Sequence, residues 1–204
     1  MKFYDSVGPN PRAVRMFMAE RGVTGIETVK IDLRGGENRQ PAYMAKNPSG
    51  QTPALELDNG TVLAEITAIC EYLDEVTPGT SLIGGNAQER AETRMWMRRV
   101  DLQIMEPGAN GFRFGEGLKL FQPRIRCIPE ASADLKLIAQ DGLKRLDGQM
   151  AGKTYIAGNR LTMADIVLFC FIDFFNGVGQ PLDPELKNIN AWYTSMKARP
   201  SASA

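Results

Sequence analysis

The pattern of apolar and polar positions divides the chain into two halves with different secondary structure. In the first 76 residues, short apolar runs typical of strands alternate with segments of helical periodicity. The strand signals are KFY, GIETVKIDL and TPALELDNGTVL, and the DNG within the last segment favours a hairpin turn. From about residue 88 the pattern is helical without a convincing strand. We therefore predict an α/β domain over residues 1–78 and an all-helical domain over residues 86–204.

Glycine and proline mark the places where these elements should end. The segment EVTPGTSLIGGNAQER is rich in glycine, proline and small polar residues, which indicates a linker with a boundary near residue 80. A first helix is predicted over residues 10–21, with Val14 and Phe17 on its buried face. Pro107 lacks the N–H that a helix interior needs, so we expect a kink or a break at EPGANG.

Composition narrows the chemistry that the chain can perform. Lys plus Arg and Asp plus Glu both number 24, so no net charge would attract nucleic acid or an anionic membrane surface. The chain has no histidine, which excludes a Ser-His-Asp triad, a histidine base and histidine metal ligands. The cysteines, Cys70, Cys127 and Cys170, form no CxxC pair, so we expect core thiols and no metal site. Without a signal peptide or a long apolar run, the protein is expected to be cytoplasmic.

The segment NPSGQTPALEL suggests a binding edge. Thr52 precedes Pro53 and is therefore biased to an extended conformation. If the bond between them is cis, the N–H and C=O of Thr52 are free to pair with a peptide-like ligand. The simpler alternative is an ordinary turn into a strand.

The segment LAEITAICEYL suggests a site for a charged ligand. Glu65 precedes a predicted helix, and the N–H groups of Ile66 and Thr67 would project from the helix N-terminus, where anions bind. A ligand with a carboxylate and an ammonium on one carbon could bind these N–H groups through its carboxylate and Glu65 through its ammonium. Alternatively, Glu65 only complements the helix dipole. In NRLTMADIVL, Thr162 and Asp165 have capping-box spacing, which indicates a role in folding.

These segments, together with WYTSMKARPS near the end, resemble the cytosolic glutathione transferases over essentially the whole chain. The opening segment MKFYDSVGPNPRAVRMFMAERGV is most similar to a bacterial and fungal group near the second yeast glutathione transferase, with a "PN" as in the nu class. The resemblance implies a thioredoxin-like domain that binds glutathione, a C-terminal helical-bundle domain for a second substrate, and a homodimer. It also implies a role in detoxification.

The resemblance also implies roles for individual residues. Many relatives have a serine at the position of Ile66, so this chain keeps the backbone donor there and loses a hydroxyl. By this resemblance, Thr52 pairs with the cysteinyl backbone of glutathione, and Pro53 is cis. Glu65 faces the γ-glutamyl ammonium, and Ile66 and Thr67 bind the γ-glutamyl α-carboxylate. The glycyl end lies near Gln51 and either Asn38 or Arg39.

The catalytic group cannot be assigned in the usual way. Gly8 aligns with the catalytic hydroxyl of serine-type relatives, and Tyr4 lies within the first strand. A thiol pKa of about 8.5 must fall by roughly two units, or about 2.7 kcal/mol, which exceeds the contribution of a helix N-terminus. We predict that Asn10, as an N-cap before Pro11, supplies a hydrogen bond to the sulfur, with Ser6 as the second candidate. The alternative is that Asn10 only caps the helix.

A second-substrate pocket is predicted at IMEPGANGFRFGEG, from Met105, Asn110, Phe112, Arg113 and Phe114. The alternative is that Phe112 and Phe114 are ordinary packing residues. The sequence thus favours a glutathione S-transferase that conjugates small apolar electrophiles. Two alternatives stay open: a glutathione-dependent disulfide or peroxide reductase, and a weakly catalytic protein that binds glutathione or other ligands.

Overall fold

A computed structural model describes all residues, 1–204, and begins with a four-stranded mixed sheet. The strand order is β2-β1-β3-β4, with β1 parallel to β2 and antiparallel to β3, and with β3 antiparallel to β4. The strands are β1 Lys2–Asp5, β2 Glu27–Lys30, β3 Ala54–Glu56 and β4 Val62–Ala64, and the helices of this unit are α1 Pro9–Arg21, α2 Pro41–Met44 and α3 Ile66–Val76. This arrangement confirms the predicted thioredoxin-like domain.

Two apolar clusters hold this sheet to its helices. Helices α1 and α3 pack against each other, and the apolar side chains of the α1 stripe, Val14 and Phe17, are fully buried. A second cluster joins Tyr4 of β1 to Tyr43 of α2, whose rings meet edge to face at 5.9 Å. Burial of these large side chains is the main stabilising term for the domain.

The predicted hairpin connects β3 to β4. The Gly60 N–H donates to the Leu57 carbonyl at 2.9 Å, and Gly60 has a φ of 83°, which glycine adopts without strain. The turn signal DNG was therefore interpreted correctly.

The second half is helical, as predicted, with an irregularity ahead of Pro107. A π-helical segment, Asp101–Met105, follows α4 without a break and leads directly into α5. The expected break at EPGANG is therefore absent. The wider π-helical turn puts Pro107 in the first turn of α5, where its missing N–H is not needed. The helices are α4 Ala87–Val100, α5 Glu106–Phe114, α6 Leu118–Phe121, α7 Ser132–Gln149, α8 Met163–Gly177 and α9 Lys187–Lys197.

The capping box is present at the start of α8. Asp165 is fully buried, and its carboxylate accepts hydrogen bonds from the Thr162 N–H at 2.9 Å and the Thr162 hydroxyl at 2.8 Å. It also accepts from the Ile156 N–H at 2.8 Å and from Trp192 Nε1 at 2.9 Å. Asp165 therefore joins the start of α8 to a preceding turn and to α9.

The chain separates into two compact units between Gly85 and Asn86, and the last five residues belong to the first unit. The predicted helical domain extended instead to residue 204. The difference arises because the 3₁₀ helix Pro200–Ser203 packs on α1, where Arg12 Nη2 donates to the Ala202 carbonyl at 2.8 Å. None of the helices has the length and apolar character needed to cross a membrane.

Candidate active site

The junction between β1 and α1 differs from the sequence prediction in its cap. Helix α1 begins at Pro9, one residue earlier than expected, and its N-cap is Gly8, with φ 115° and ψ 170°. Asn10 therefore lies in the first turn and is not the N-cap. The reason is local: proline at Pro9 suits the first helical position, and glycine can adopt the backbone conformation that the cap requires.

Asn10 provides most of the free donors in this helical turn. Pro9 and Pro11 have no N–H, and the N–H of Arg12 donates to the Gly8 carbonyl at 3.4 Å. The only backbone N–H within the first three residues of α1 is thus that of Asn10. Its carboxamide is half-buried, and no other protein group bonds to it.

The loop before β3 has the cis Thr52–Pro53 bond that the resemblance implied. Neither the N–H nor the C=O of Thr52 has a partner in the protein. The loop is held through the Gln51 carbonyl, which accepts from the Tyr43 hydroxyl at 2.6 Å and from Asn47 Nδ2 at 2.9 Å. Burial raises the pKa of Tyr43 to about 12, so this phenol remains a donor across the neutral and moderately alkaline range.

The start of α3 has an unusual backbone conformation. Glu65, at the N-cap, has φ 69° and is the only residue other than glycine with a positive φ. Its side chain is exposed and does not cap its own helix. The first helical N–H to find a partner is that of Ile69, which donates to the Glu65 carbonyl at 3.0 Å, so the N–H groups of Ile66 and Thr67 are unpaired. Strained residues of this kind concentrate at ligand sites.

These three segments meet at one cleft. Its cavity volume is about 40 Å³, which suits a few atoms of a ligand that otherwise lies along the surface. Among the residues predicted for the glutathione site, those that do not line the cleft are Ser6, Asn38, Arg39 and Thr67. The lining residues are Asn10, Asn47, Gln51, Thr52, Pro53, Glu65 and Ile66.

Asn47 was missed because its sequence context, before a proline and a glycine, reads as an ordinary turn. Asn38, offered with Arg39 for the glycyl end, is only 2% exposed, and its Nδ2 donates to the Gly50 carbonyl at 2.6 Å. Asn38 therefore supports the loop. Arg39 is exposed, and Arg39 Nη1 lies 3.4 Å from the Ser49 carbonyl.

The residues predicted for the second-substrate pocket lie in the helical unit. Met105 is 5% exposed. Asn110 Nδ2 donates to Glu106 Oε1 at 2.8 Å, and Arg113 Nη1 donates to Asn110 Oδ1 at 2.8 Å, which forms a polar ladder along α5. Phe112 lies in an aromatic cluster, with its ring centroid 5.0 Å from that of Phe174 and 6.0 Å from that of Phe121.

Tyr4 takes no part in the cleft. It is 5% exposed, and its hydroxyl donates to Glu56, which also pairs with Lys46 at 2.7 Å. The sequence-based exclusion of Tyr4 as the catalytic group is consistent with this geometry.

Comparison with known proteins identifies the family. The family models "Glutathione S-transferase, N-terminal domain" and "Glutathione S-transferase, C-terminal domain" match residues 7–76 and 130–200. Glutathione S-transferase 2 of Saccharomyces cerevisiae is 33% identical, over 98% of this chain and 87% of its own.

Two crystal structures show the same relationship. A glutathione S-transferase domain-containing protein of Marinobacter aquaeolei has a TM-score of 0.91 and 36% identity, over 98% of this chain and 99% of its own. Gtt2 of Saccharomyces cerevisiae has a TM-score of 0.90 and 33% identity, over 100% of this chain and 99% of its own. The chain therefore belongs to the glutathione S-transferase family and is a transferase enzyme, as the sequence analysis predicted.

Proposed function

We propose that this transferase binds glutathione in the cleft described above and transfers its thiolate to small apolar electrophiles. The observation that carries the proposal is the convergence of three sets of unpaired polar groups on one cleft. These are the backbone of Thr52, the Ile66 N–H at the start of α3, and the amide groups of Asn10. Their chemistry is complementary to the backbone, the γ-glutamyl end and the sulfur of the tripeptide.

The γ-glutamyl end is assigned to α3. Its α-carboxylate would accept from the N–H groups of Ile66 and Thr67, where the helix dipole also favours an anion. Its ammonium would face the exposed carboxylate of Glu65. The Thr67 hydroxyl is the available substitute for the serine hydroxyl that Ile66 lacks.

The cysteinyl residue is assigned to Thr52, whose free N–H and C=O can pair with the ligand backbone as an added strand does. The glycyl end would then run towards Gln51, with Arg39, whose Nη1 lies 3.4 Å from the Ser49 carbonyl, as a candidate cationic group. Pro53 connects Thr52 to the start of β3, and Tyr43 and Asn47 hold the loop through the Gln51 carbonyl.

The sulfur is assigned to the start of α1, where Asn10 supplies both a backbone N–H and a side-chain N–H. A hydrogen bond to a charged group contributes about 1.5 to 3 kcal/mol, and a helix N-terminus adds about 0.3 to 2 kcal/mol. Together they reach the roughly 2.7 kcal/mol that a two-unit fall in the thiol pKa requires. No hydroxyl at residue 8 is then needed.

The second substrate is assigned to the helical unit, at Asn110, Phe112 and Arg113, and the fourth predicted residue, Met105, is buried. Phe112 offers an apolar ring, and the ladder from Glu106 to Arg113 offers polar groups beside it. This combination suits an apolar electrophile with a polar substituent. We further propose a cytoplasmic homodimer with a detoxifying role.

Titration of the bound thiol tests the proposed catalytic group. The thiolate absorbance of bound glutathione is followed against pH in the wild type, Asn10→Ala and Asn10→Asp. We expect Asn10→Ala to raise the midpoint by about one to two units, since one hydrogen bond to the anion is lost. Asn10→Asp should raise it further, because a carboxylate of nearly the same shape repels the thiolate.

The aspartate variant is also the control for folding, since an acid in the first turn of a helix favours stability. An unchanged midpoint in both variants would remove Asn10 from the mechanism. Turnover with a chlorodinitrobenzene-type acceptor, compared with turnover of a mixed disulfide, separates transfer from the alternative reductase activity. Tight binding of glutathione without either turnover would instead indicate a ligand-binding protein.

A further inference from the structure

A hydroxyl pair connects the two loops to which the cysteinyl residue of glutathione is assigned. Ser6 Oγ lies 2.5 Å from Thr52 Oγ1, across 46 residues of chain. Ser6 is 7% exposed and precedes α1 by three residues, whereas Thr52 carries the backbone edge beside the cis proline. The contact therefore connects the start of α1, which would hold the sulfur, to the Thr52 backbone, which would hold the main chain of the same ligand residue.

A buried ion pair fixes the other side of Ser6. Arg15 Nη1 lies 2.5 Å from Asp5 Oδ1 and 3.4 Å from the Ser6 carbonyl, and Asp5 is fully buried. Lys30 pairs with the second carboxylate oxygen of Asp5. The backbone of Ser6 is thus tied to α1 through Arg15, while its side chain is tied to Thr52.

The hydroxyl of Ser6 is poorly placed to act on the sulfur itself. Its acceptors within reach are the Thr52 hydroxyl and the Val7 carbonyl at 3.3 Å, and it does not line the cleft. A hydroxyl has one hydrogen to donate. Ser6 was the second candidate for the thiolate donor in the sequence analysis, and these contacts favour a different role.

We propose that Ser6 is a positioning residue, which acts through the Thr52 hydroxyl to set the spacing between the start of α1 and the Thr52 backbone. The inference rests on the proposed function, because it supposes that one cysteinyl residue meets both groups. Errors of about 1 Å in such spacing can reduce a rate by as much as about a hundredfold. The loss of either hydroxyl should therefore weaken thiolate stabilisation, although neither touches the sulfur.

A double-mutant cycle tests the proposal with Ser6→Ala, Thr52→Val and the double variant. Valine matches threonine in shape and keeps the backbone N–H and C=O of residue 52. We expect each single variant to lower kcat/KM by about two- to tenfold, which corresponds to the loss of one hydrogen bond. Each should also raise the titration midpoint of bound glutathione. The double variant should be no worse than the poorer single variant, because both substitutions remove the same contact.

Two further variants serve as controls. Thr52→Ser keeps the hydroxyl that contacts Ser6 and should therefore lose less kcat/KM and shift the midpoint less than Thr52→Val, which separates loss of the contact from general disturbance of the loop. Ser195→Ala removes a serine hydroxyl that bonds to the Trp192 carbonyl in α9, and it should leave the midpoint unchanged. Thermal unfolding of each variant confirms that it is folded.

Additive effects in the double variant would overturn the proposal. A raised midpoint in Ser6→Ala together with a normal one in Thr52→Val would also overturn it, and would make Ser6 a direct donor to the sulfur. These outcomes differ from failure of the proposed function. In that case the wild type would bind no glutathione, or neither Asn10 variant would shift the midpoint.

Discussion

Gly8 explains why the usual catalytic hydroxyl is missing from this junction. Its φ of 115° and ψ of 170° lie in a region of backbone space that is open essentially to glycine alone. A Cβ built on Gly8 meets no atom within 4 Å, so space is not the obstacle. A serine at this position would have to distort the chain that leads into α1. The conformation and the absence of the hydroxyl are therefore linked.

Substitution of Gly8 should consequently be costly without restoring a catalytic group. We expect Gly8→Ala and Gly8→Ser each to lower the free energy of unfolding by about 1 to 3 kcal/mol, the range for a residue forced into such a conformation. Neither should lower the pKa of bound glutathione, since the start of α1 would be displaced. Chemical denaturation and thiol titration measure the two effects.

Gly148 provides the matched control for this prediction. It lies near the end of α7 without a positive φ, and a Cβ there also meets no atom within 4 Å. Gly148→Ala should leave stability unchanged or raise it by up to about 1 kcal/mol, because alanine favours a helix. If Gly8→Ala proved as benign as Gly148→Ala, backbone strain would not explain the glycine at residue 8.

The sequence could predict which residues line the cleft where the signal lies within a few neighbouring residues. Thr52, Glu65 and Ile66 could be found because each precedes or opens an element that the sequence defines. Asn10 was predicted to lie at the site and does line the cleft, but the predicted N-cap was wrong by two residues, because the cap is Gly8. Asn47 was missed because its sequence context is that of an ordinary turn, although its side chain donates to the Gln51 carbonyl only four residues along the chain.

At the scale of elements, Asp165 has the largest structural role that the sequence signals. Its buried carboxylate accepts from two groups of Thr162, from Ile156 and from Trp192. It therefore fixes the start of α8, an adjacent turn and α9 at one point. Removal of the carboxylate would leave several buried donors without an acceptor, and each such loss is worth about 1 to 3 kcal/mol.

We expect Asp165→Ala to lower the free energy of unfolding by at least about 3 kcal/mol, measured by chemical denaturation. Thr162→Ser is the matched control, since it keeps the hydroxyl and the backbone N–H that bond to Asp165. It should cost less than about 1 kcal/mol. A small effect of Asp165→Ala would mean that water or a rearranged backbone satisfies the donors of Thr162, Ile156 and Trp192.

The elements that could not be predicted depend on contacts between distant segments. The hairpin at DNG and the capping box are encoded within a few residues and were found. The π-helical segment Asp101–Met105 has no such signature, because it reflects how this segment and α5 pack on α7. The docking of Pro200–Ser203 on α1 likewise depends on Arg12, almost two hundred residues away.

At the scale of the whole molecule, the balance of charges means that ligand recognition depends on local groups. The chain has equal numbers of basic and acidic side chains, 24 of each, so no net charge concentrates an anionic tripeptide at its surface. Recognition would then depend on the starts of α1 and α3 and on Glu65. The chain also lacks histidine, so the ligand thiol is the simplest group to explain a rate change near neutral pH.

The proposed homodimer has a candidate surface on α4 and the π-helical segment. Met95 and Leu102 are large apolar residues, 41% and 51% exposed, and a spacing of seven puts them on one helix face. Arg98 and Asp101 lie between them as a pair 3.4 Å apart. A two-fold interface brings each surface against itself, and a surface with both charge signs can complement itself.

The exposed apolar residues of α7 are less suited to such an interface. Leu137 is 63% exposed, but the exposed acids Asp134 and Asp141 flank it on the same helix, so a two-fold contact would bring like charges together. Leu102→Glu should therefore reduce the mass measured by light scattering from about twice 22.5 kDa towards the monomer value, while Leu137→Glu should not. The reverse result would move the interface to α7, and a monomeric wild type would remove the dimer altogether.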